Sequence, residues 1–354
     1  MRAKRLILHL GDSKTGSTAI QKALRASQAA LDAAGVLFPD PGRHDNHQLL
    51  FPHLHGVLPD DPVQMDSLGG NPAKARAEAA RRWADLKAQV NRAAPDTIVL
   101  SCENQFRPYD TEALARLEAH ANEIAEKTHV FAYLRSPASF FLSYAQQSLK
   151  KRPEIRVLSP SRYRDTLEPL ATRFPVSVAR AGRDALRGGD AVTDFCARFL
   201  PNVPADALIR ETDAVNETVS AEAMVLLQAI FRESRPLPAG FRRNKKALRR
   251  IVMACDGQVA GATRPSLHDA VRTAVETRQT DLGWLQDRFG LTFPDLGPRD
   301  MDTAEAIRLH DALRDVADLC PVDHDRVETL WAAVQHSAAA SLSPIARLRA
   351  RFTG

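Results

Sequence analysis

The chain is poor in the residues that several specialised folds depend on. Four cysteines, Cys102, Cys196, Cys255 and Cys320, are scattered through 354 residues with no Cys-x-x-Cys pair. That spacing argues against a zinc cluster and against a disulfide framework. Aromatic residues make up only 6% of the chain, a poor supply for base stacking. Neither an RNA-binding aromatic motif nor zinc-finger spacing is present, so nucleic acid is not the expected partner. No apolar run approaches the length of a membrane span, which predicts no integral membrane segment. The first residues, "MRAKRLILHL", resemble the start of a secretory signal. Their apolar part, however, falls short of the roughly 7–15 residues of such a segment, and no small-residue cleavage site follows. The expectation is the first strand of a cytoplasmic protein. Charge of one sign is scarce too. Lys+Arg number 48 against 43 Asp+Glu, a net +5, which suits an anionic ligand without demanding a polyanion.

Hydrophobic residues at 44% and charged residues at 26% are those of an ordinary globular protein. Within it, the most informative stretch is His9–Thr18, "HLGDSKTGST". It follows the apolar run Leu6–Leu10 and precedes a helical pattern. A strand, a tight glycine loop and a helix in that order aim backbone N–H groups and a positive dipole end at an anion. Gly11 and Gly16 let the chain turn and approach a ligand closely. Lys14 adds a point charge, and Ser17 and Thr18 add hydroxyl donors. The loop is not a Walker A motif, which places lysine directly after the second glycine. Here Ser17 follows Gly16 and Lys14 precedes it by two residues.

A second segment, "HVFAYLRSPASFFLSYAQQ" (His129–Gln147), has the same strand-to-helix character. Val130–Leu134 is a buried-strand pattern with Arg135 at its carboxyl end, and Ser136-Pro137 is a helix start. Ser143 lies seven residues past that start, close to two helical turns, and so returns to the face that Arg135 approaches. A guanidinium and a hydroxyl so placed can grip one phosphate.

Further strands are expected at Val36–Phe38, Thr97–Leu100 and Val176–Ala179. Helices are expected at Ser17–Ala34, Ala73–Ala94, Thr111–Lys127, Pro137–Lys151, from Ser159-Pro160 to about Phe174, and after Asp190. Strands separated by helices need crossovers, which predicts an α/β fold with a three-layer, mainly parallel sheet. Beyond residue 200 the strand signal fades. Ser220–Arg232, Lys245–Ala254, Ser266–Phe289, Thr303–Leu319 and Asp325–Ser337 are helical patterns. The expected organisation is an anion-binding core over 1–200 and a mostly helical region over 201–354 packed on it.

The order Lys-Thr-Gly-Ser-Thr resembles the 5′-phosphosulfate loop of sulfotransferases that use 3′-phosphoadenosine 5′-phosphosulfate (PAPS). An arginine at a strand end followed eight residues later by a serine resembles their 3′-phosphate site. Over residues 1–200 the chain is similar to the bacterial branch of that superfamily, whose loop usually reads "HIGxHKTGTT". His9, Leu10, Gly11, Lys14, Thr15, Gly16 and Thr18 fit it. Ser13 stands where that branch often has histidine, and Asp12 adds a negative charge beside an anion site. The resemblance implies the P-loop NTPase-like sulfotransferase fold, PAPS as donor co-substrate and no metal. It also implies transfer to a hydroxyl of a small molecule or glycan, a carbohydrate or glycolipid in particular. In that scheme Lys14 meets the leaving oxygen. Gly11, Thr15, Gly16, Ser17 and Thr18 hold the 5′-phosphate, and Arg135 and Ser143 hold the 3′-phosphate.

The general base is open at this level. Glu103 follows the carboxyl end of Thr97–Leu100, where open α/β sheets place their sites, and resembles the base position of several carbohydrate sulfotransferases. His44 and His47 are its rivals, and His47 is also a candidate lining residue of an acceptor pocket. The spacing of His44, His47, His53 and His55 invites a metal reading, but no carboxylate–histidine helix motif supports one. His9 belongs to a buried strand and is expected to be a core residue. Two other functions share these features: a P-loop kinase or NTPase, which the displaced lysine and the missing Walker B aspartate count against, and a non-catalytic nucleotide-binding protein on the same fold. Oligomeric state has no signal in the sequence.

Overall fold

The computed structural model describes residues 2–12, 15–55, 58, 68, 70–102, 105–210 and 218–341. The chain forms two compact units, each assembled from three stretches. The first comprises Met1–Ser136, Ser159–Ala214 and Thr280–Asp295, the second Pro137–Leu158, Val215–Gln279 and Leu296–Gly354.

The first unit is an α/β structure around five parallel strands. These are β1 (Ala3–Leu10), β2 (Val36–Leu37), β3 (Thr97–Cys102), β4 (Ala125–Leu134) and β5 (Val176–Arg180), in the order β2-β3-β1-β4-β5. β1 is a near-continuous apolar run, as a strand covered on both faces must be. Leu6, Leu8 and Leu10 project to one face with Ile98, Leu100 and Cys102. There they meet Trp83, Leu86 and Val90 of α3 (Pro72–Ala93) and Leu114, Leu117 and Ala121 of α4 (Thr111–Ile124). On the other face Ile7, Val99, Phe131 and Tyr133 pack with Ile20 and Leu24 of α1 (Ser17–Ala26) and Phe195 and Phe199 of α7 (Ala191–Phe199). Helix, sheet and helix form the three layers expected of parallel strands.

Several elements depart from their sequence pattern for identifiable reasons. The helix expected over Ser17–Ala34 is broken into α1 and α2 (Gln28–Ala33) at Ser27, whose hydroxyl accepts a hydrogen bond from the Ile209 N–H at 2.7 Å. The helix expected to run to Lys127 stops at Ile124, because Ala125 and Lys127 pair with Ala3 and Arg5 of β1. Asp190 caps α7 as expected, accepting from the Thr193 N–H at 2.8 Å.

Among its described residues the second unit holds helices and no strand. They are α5 (Pro137–Leu149), α8 (Ala221–Arg232), α9 (Lys245–Gln258), α10 (Asp269–Arg278), α12 (Thr303–Ala312), α13 (Val316–Leu319) and α14 (His324–Ser341). Met224, Leu227, Ile230, Leu248, Val252, Leu330 and Val334 form its core. Within the core lies a charged cluster. Arg326 donates to Glu222 at 3.0 Å, Asp256 at 2.9 Å and the Ser220 hydroxyl at 2.8 Å, and also to the carbonyls of Val259 and Ala260.

The pattern Ser266–Phe289 is two helices rather than one. α10 belongs to the second unit, and α11 (Leu282–Phe289), the helix between α10 and α12 in the chain, belongs to the first. Between them Thr280 donates its N–H to Pro160 O, and the Asp281 carboxylate accepts the N–H groups of Tyr163 and Arg164. Thr303–Leu319 is likewise divided, with the Arg314 and Asp315 N–H groups bonded to the Asp318 carboxylate. Among the described residues no helix is long and apolar enough to cross a membrane.

Arg326→Met leaves two buried carboxylates without their cation, and the expected loss is about 3–5 kcal/mol. Arg81→Ala removes only an exposed pair with Asp85 and is expected to cost under about 0.5 kcal/mol. Urea unfolding midpoints of the two variants check the contrast.

Candidate functional site

The connection leaving β1 runs towards β2, and the connection leaving β4 runs towards β5, on opposite sides of this neighbouring pair. Two adjacent strands whose chains depart in opposite directions open a crevice at their carboxyl ends, the usual ligand position in such sheets. His9 is level with Phe131 in that pair. The β1 loop and Arg135 therefore leave the sheet side by side.

The described residues of the β1 loop make short contacts. The Thr15 hydroxyl donates to Asp12 O at 2.7 Å and lies 3.3 Å from the Ser17 hydroxyl. Gly16 follows at φ +89°, and a Cβ there meets the Cβ of Ala191 at 2.6 Å. Only glycine satisfies both the left-handed backbone and the close approach of α7. Gly16 is the N-cap of α1, and no side chain caps that helix. The first intrahelical bond is Ile20 N–H to Gly16 O, so the amides of the preceding residues have no acceptor within the helix. They present an uncapped, positive helix end. Gly11 and Ser17 are buried, and Thr18 is exposed. Lys14 and Glu103 lie outside the described residues.

Asp12 is 3% exposed and is paired with Arg162, the first residue of α6 (Arg162–Ala171), itself 11% exposed. The pair is bidentate, at 2.8 and 3.1 Å. Burial pulls the Arg162 guanidinium down, and the Asp12 carboxylate outweighs it and holds it above its usual value. Next to it, the Tyr163 hydroxyl donates to Arg135 O at 2.6 Å. Arg135 is half-buried. Burial lowers its affinity for the proton, opposed by Asp12 and Asp295. The Ser136 hydroxyl donates to Asp295 at 2.5 Å. Arg135 belongs to the first unit, and Ser143, buried on α5, belongs to the second.

The histidines have separate duties. His47 accepts the Ser101 N–H on Nδ1 at 3.0 Å and donates from Nε2 to Pro39 O at 3.0 Å, so both ring nitrogens clamp backbone. A base role for His47 requires one of those bonds to break. Burial pushes it down to about 4. His9 meets the Ser101 hydroxyl at 2.9 Å through Nδ1, with its ring among Phe131, Tyr133 and Phe195, and burial takes it to about 3. His55 bonds Gln105 at 2.9 Å and is lowered to about 4, mainly by burial. His53 packs against His120. Among the described residues no group of three or more His, Cys, Asp or Glu side chains is arranged to hold a metal. A pocket of about 270 Å³ lies beside His47, between the segment after β2 and α3, lined in part by Asp40, Leu50, Arg82, Leu86 and Arg92.

No protein-family model matches this chain, and no curated protein matches it.

The sequence pointed to the loop and to Arg135 but not to Arg162, Tyr163 or Asp281. The available signal was Asp12. A buried carboxylate in a loop calls for a compensating cation, although nothing local says which one.

Gly16→Ala is expected to cost about 1–3 kcal/mol through left-handed strain and overpacking against Ala191, read as a lowered urea midpoint. His9, His47 and His55 are neutral when folded and take up protons on unfolding below their ordinary value of 6.5. Their contribution is complete above pH 6.5. It declines by about 1.4 kcal/mol per pH unit per histidine as pH falls towards 4. A stability profile from pH 7.5 to 5 checks the slope, and His47→Gln is expected to flatten it.

Proposed function

We propose that the protein is a sulfotransferase that takes a sulfuryl group from PAPS and transfers it to a hydroxyl acceptor, on the P-loop-like fold its loop resembles. The observation that carries this reading is the pairing of two anion-seeking features at neighbouring strand ends: the uncapped start of α1 after β1, and the Arg135 guanidinium after β4. A nucleotide phosphorylated at both ends asks for two such grips. The 5′-phosphate is met by the amides at Gly16–Thr18, where donors and dipole act together. The 3′-phosphate is met by Arg135 in a charge-assisted hydrogen bond.

The donor supplies a sulfuryl group activated by its bond to phosphate. The acceptor oxygen forms a bond to sulfur in line as the bond between sulfur and the bridging oxygen breaks. The electron pair passes to that oxygen and so to the departing 3′,5′-bisphosphate. Lys14, by its place in the loop sequence, stabilises the charge that builds there. Glu103, by its place after β3, takes the acceptor proton. Positioning and charge stabilisation carry most of the rate, as in phosphoryl transfer. The pocket beside His47 joins carboxylates and guanidinium groups to apolar walls, a lining that suits a polyhydroxylated acceptor such as a carbohydrate.

Adenosine 3′,5′-bisphosphate at about 100 times its Kd is expected to add about 2.7 kcal/mol of stability, visible as a raised melting temperature. ATP with Mg²⁺ is expected to add far less. Arg135→Ala is expected to lose roughly tenfold or more in affinity for the bisphosphate while sparing adenosine 5′-phosphosulfate. Lys14→Ala lowers turnover more than donor affinity. A larger shift with ATP, or equal losses for both nucleotides in Arg135→Ala, overturns the assignment.

A further inference from the structure

The first two residues of α6 touch both grips. Arg162 reaches the β1 loop through the bidentate pair with Asp12, at 2.8 and 3.1 Å. Tyr163 reaches the strand end of β4 through its hydroxyl bond to Arg135 O, at 2.6 Å. The two side chains brace one another: the Arg162 guanidinium carbon stands 5.0 Å from the Tyr163 ring centroid and 5.3 Å from that of Phe106, within the range of attraction between a cation and an aromatic face. The dipeptide is itself anchored. One Asp281 carboxylate oxygen accepts the Tyr163 N–H at 2.8 Å and the Arg164 N–H at 2.9 Å, which satisfies two amides at the start of α6 from a distant part of the chain.

This arrangement meets two needs of an anion site. The negative charge of Asp12 is cancelled, so the loop can receive an anion without repulsion from its own carboxylate. The two strand ends are also tied to a single rigid element, and their separation is then set by one helix turn instead of by two independent loops. A fixed separation is what distinguishes a ligand charged at both ends from one charged at a single end.

We propose that Arg162 and Tyr163 are positioning residues, Arg162 holding the β1-loop grip on the 5′-phosphate and Tyr163 fixing the place of the Arg135 grip, so that Tyr163 imposes the preference for a nucleotide that carries a 3′-phosphate as well as a 5′-phosphate. The proposal rests on the donor-site reading above. Arg162 acts on the 5′ grip, because its partner Asp12 is in the loop. Tyr163 acts on the 3′ grip, because its partner is the backbone from which the Arg135 side chain springs.

The test compares adenosine 3′,5′-bisphosphate with adenosine 5′-phosphate, by calorimetric titration of the full-length protein. Tyr163→Phe deletes one oxygen. It is expected to weaken the bisphosphate about fivefold, the worth of one hydrogen bond, and to leave the monophosphate within about twofold. Arg162→Lys keeps the charge but loses the planar fork. It is expected to weaken both nucleotides by a similar factor, because both carry the 5′-phosphate. The double variant Asp12→Asn with Arg162→Gln, which replaces the ion pair by an amide pair, is expected to recover part of that affinity relative to Arg162→Gln alone. Melting temperatures establish that each variant is folded. If the variants lower the melting temperature yet leave both affinities at wild-type values, the two residues are structural only and the proposal fails while the donor site stands. If the wild-type protein binds neither nucleotide, the donor reading fails and the proposal with it.

Discussion

The constraint on which the first unit depends is the burial of β1 from Leu6 to Leu10. Both faces of the strand are covered by helices, and both edges are hydrogen-bonded to β3 and β4. A strand so enclosed has no solvent to satisfy stray backbone groups, so it must be paired along its length and flanked by parallel neighbours. Its carboxyl end is where the enclosure stops. The chain emerges there into a loop held by side-chain and backbone contacts: Thr15 to Asp12 within it, Gly16 against Ala191 beneath it, Arg162 at its side. The residues of the candidate site are concentrated where the sheet can no longer satisfy the backbone by itself.

Features encoded within a dozen residues of one another were legible in the sequence. The apolar run of β1, the turn at Gly16, the start of α1, the strand before Arg135 and the Asp190 cap all follow from local pattern. Features that depend on a distant partner were not legible. Ser27 ends α1 because Ile209 lies across from it, and Ala125 joins β4 because Ala3 is beside it. The long helical pattern before Phe289 divides because Asp281 is committed to the start of α6. The same reason hid half of the candidate site. Asp12 and Arg162 are 150 residues apart, and no periodicity links them.

His47 shows how much of a histidine's role is set by the groups that hold its ring. A histidine in an irregular segment after a strand is a natural candidate for proton transfer. Here its ring joins two stretches of backbone, the Ser101 amide in β3 and the Pro39 carbonyl beyond β2. Its backbone N–H also bonds Ser101 O at 2.9 Å. The imidazole replaces sheet hydrogen bonds where the strand pairing has ended, and burial keeps it neutral enough to accept on one side and donate on the other.

The interleaving of the two units has an architectural implication. Each is drawn from three separate stretches, so neither corresponds to a single continuous piece of gene. A fragment ending near residue 200 contains every strand of the sheet yet lacks Asp281 and Asp295, and with them the acceptors for the Tyr163 and Arg164 amides and the Ser136 hydroxyl.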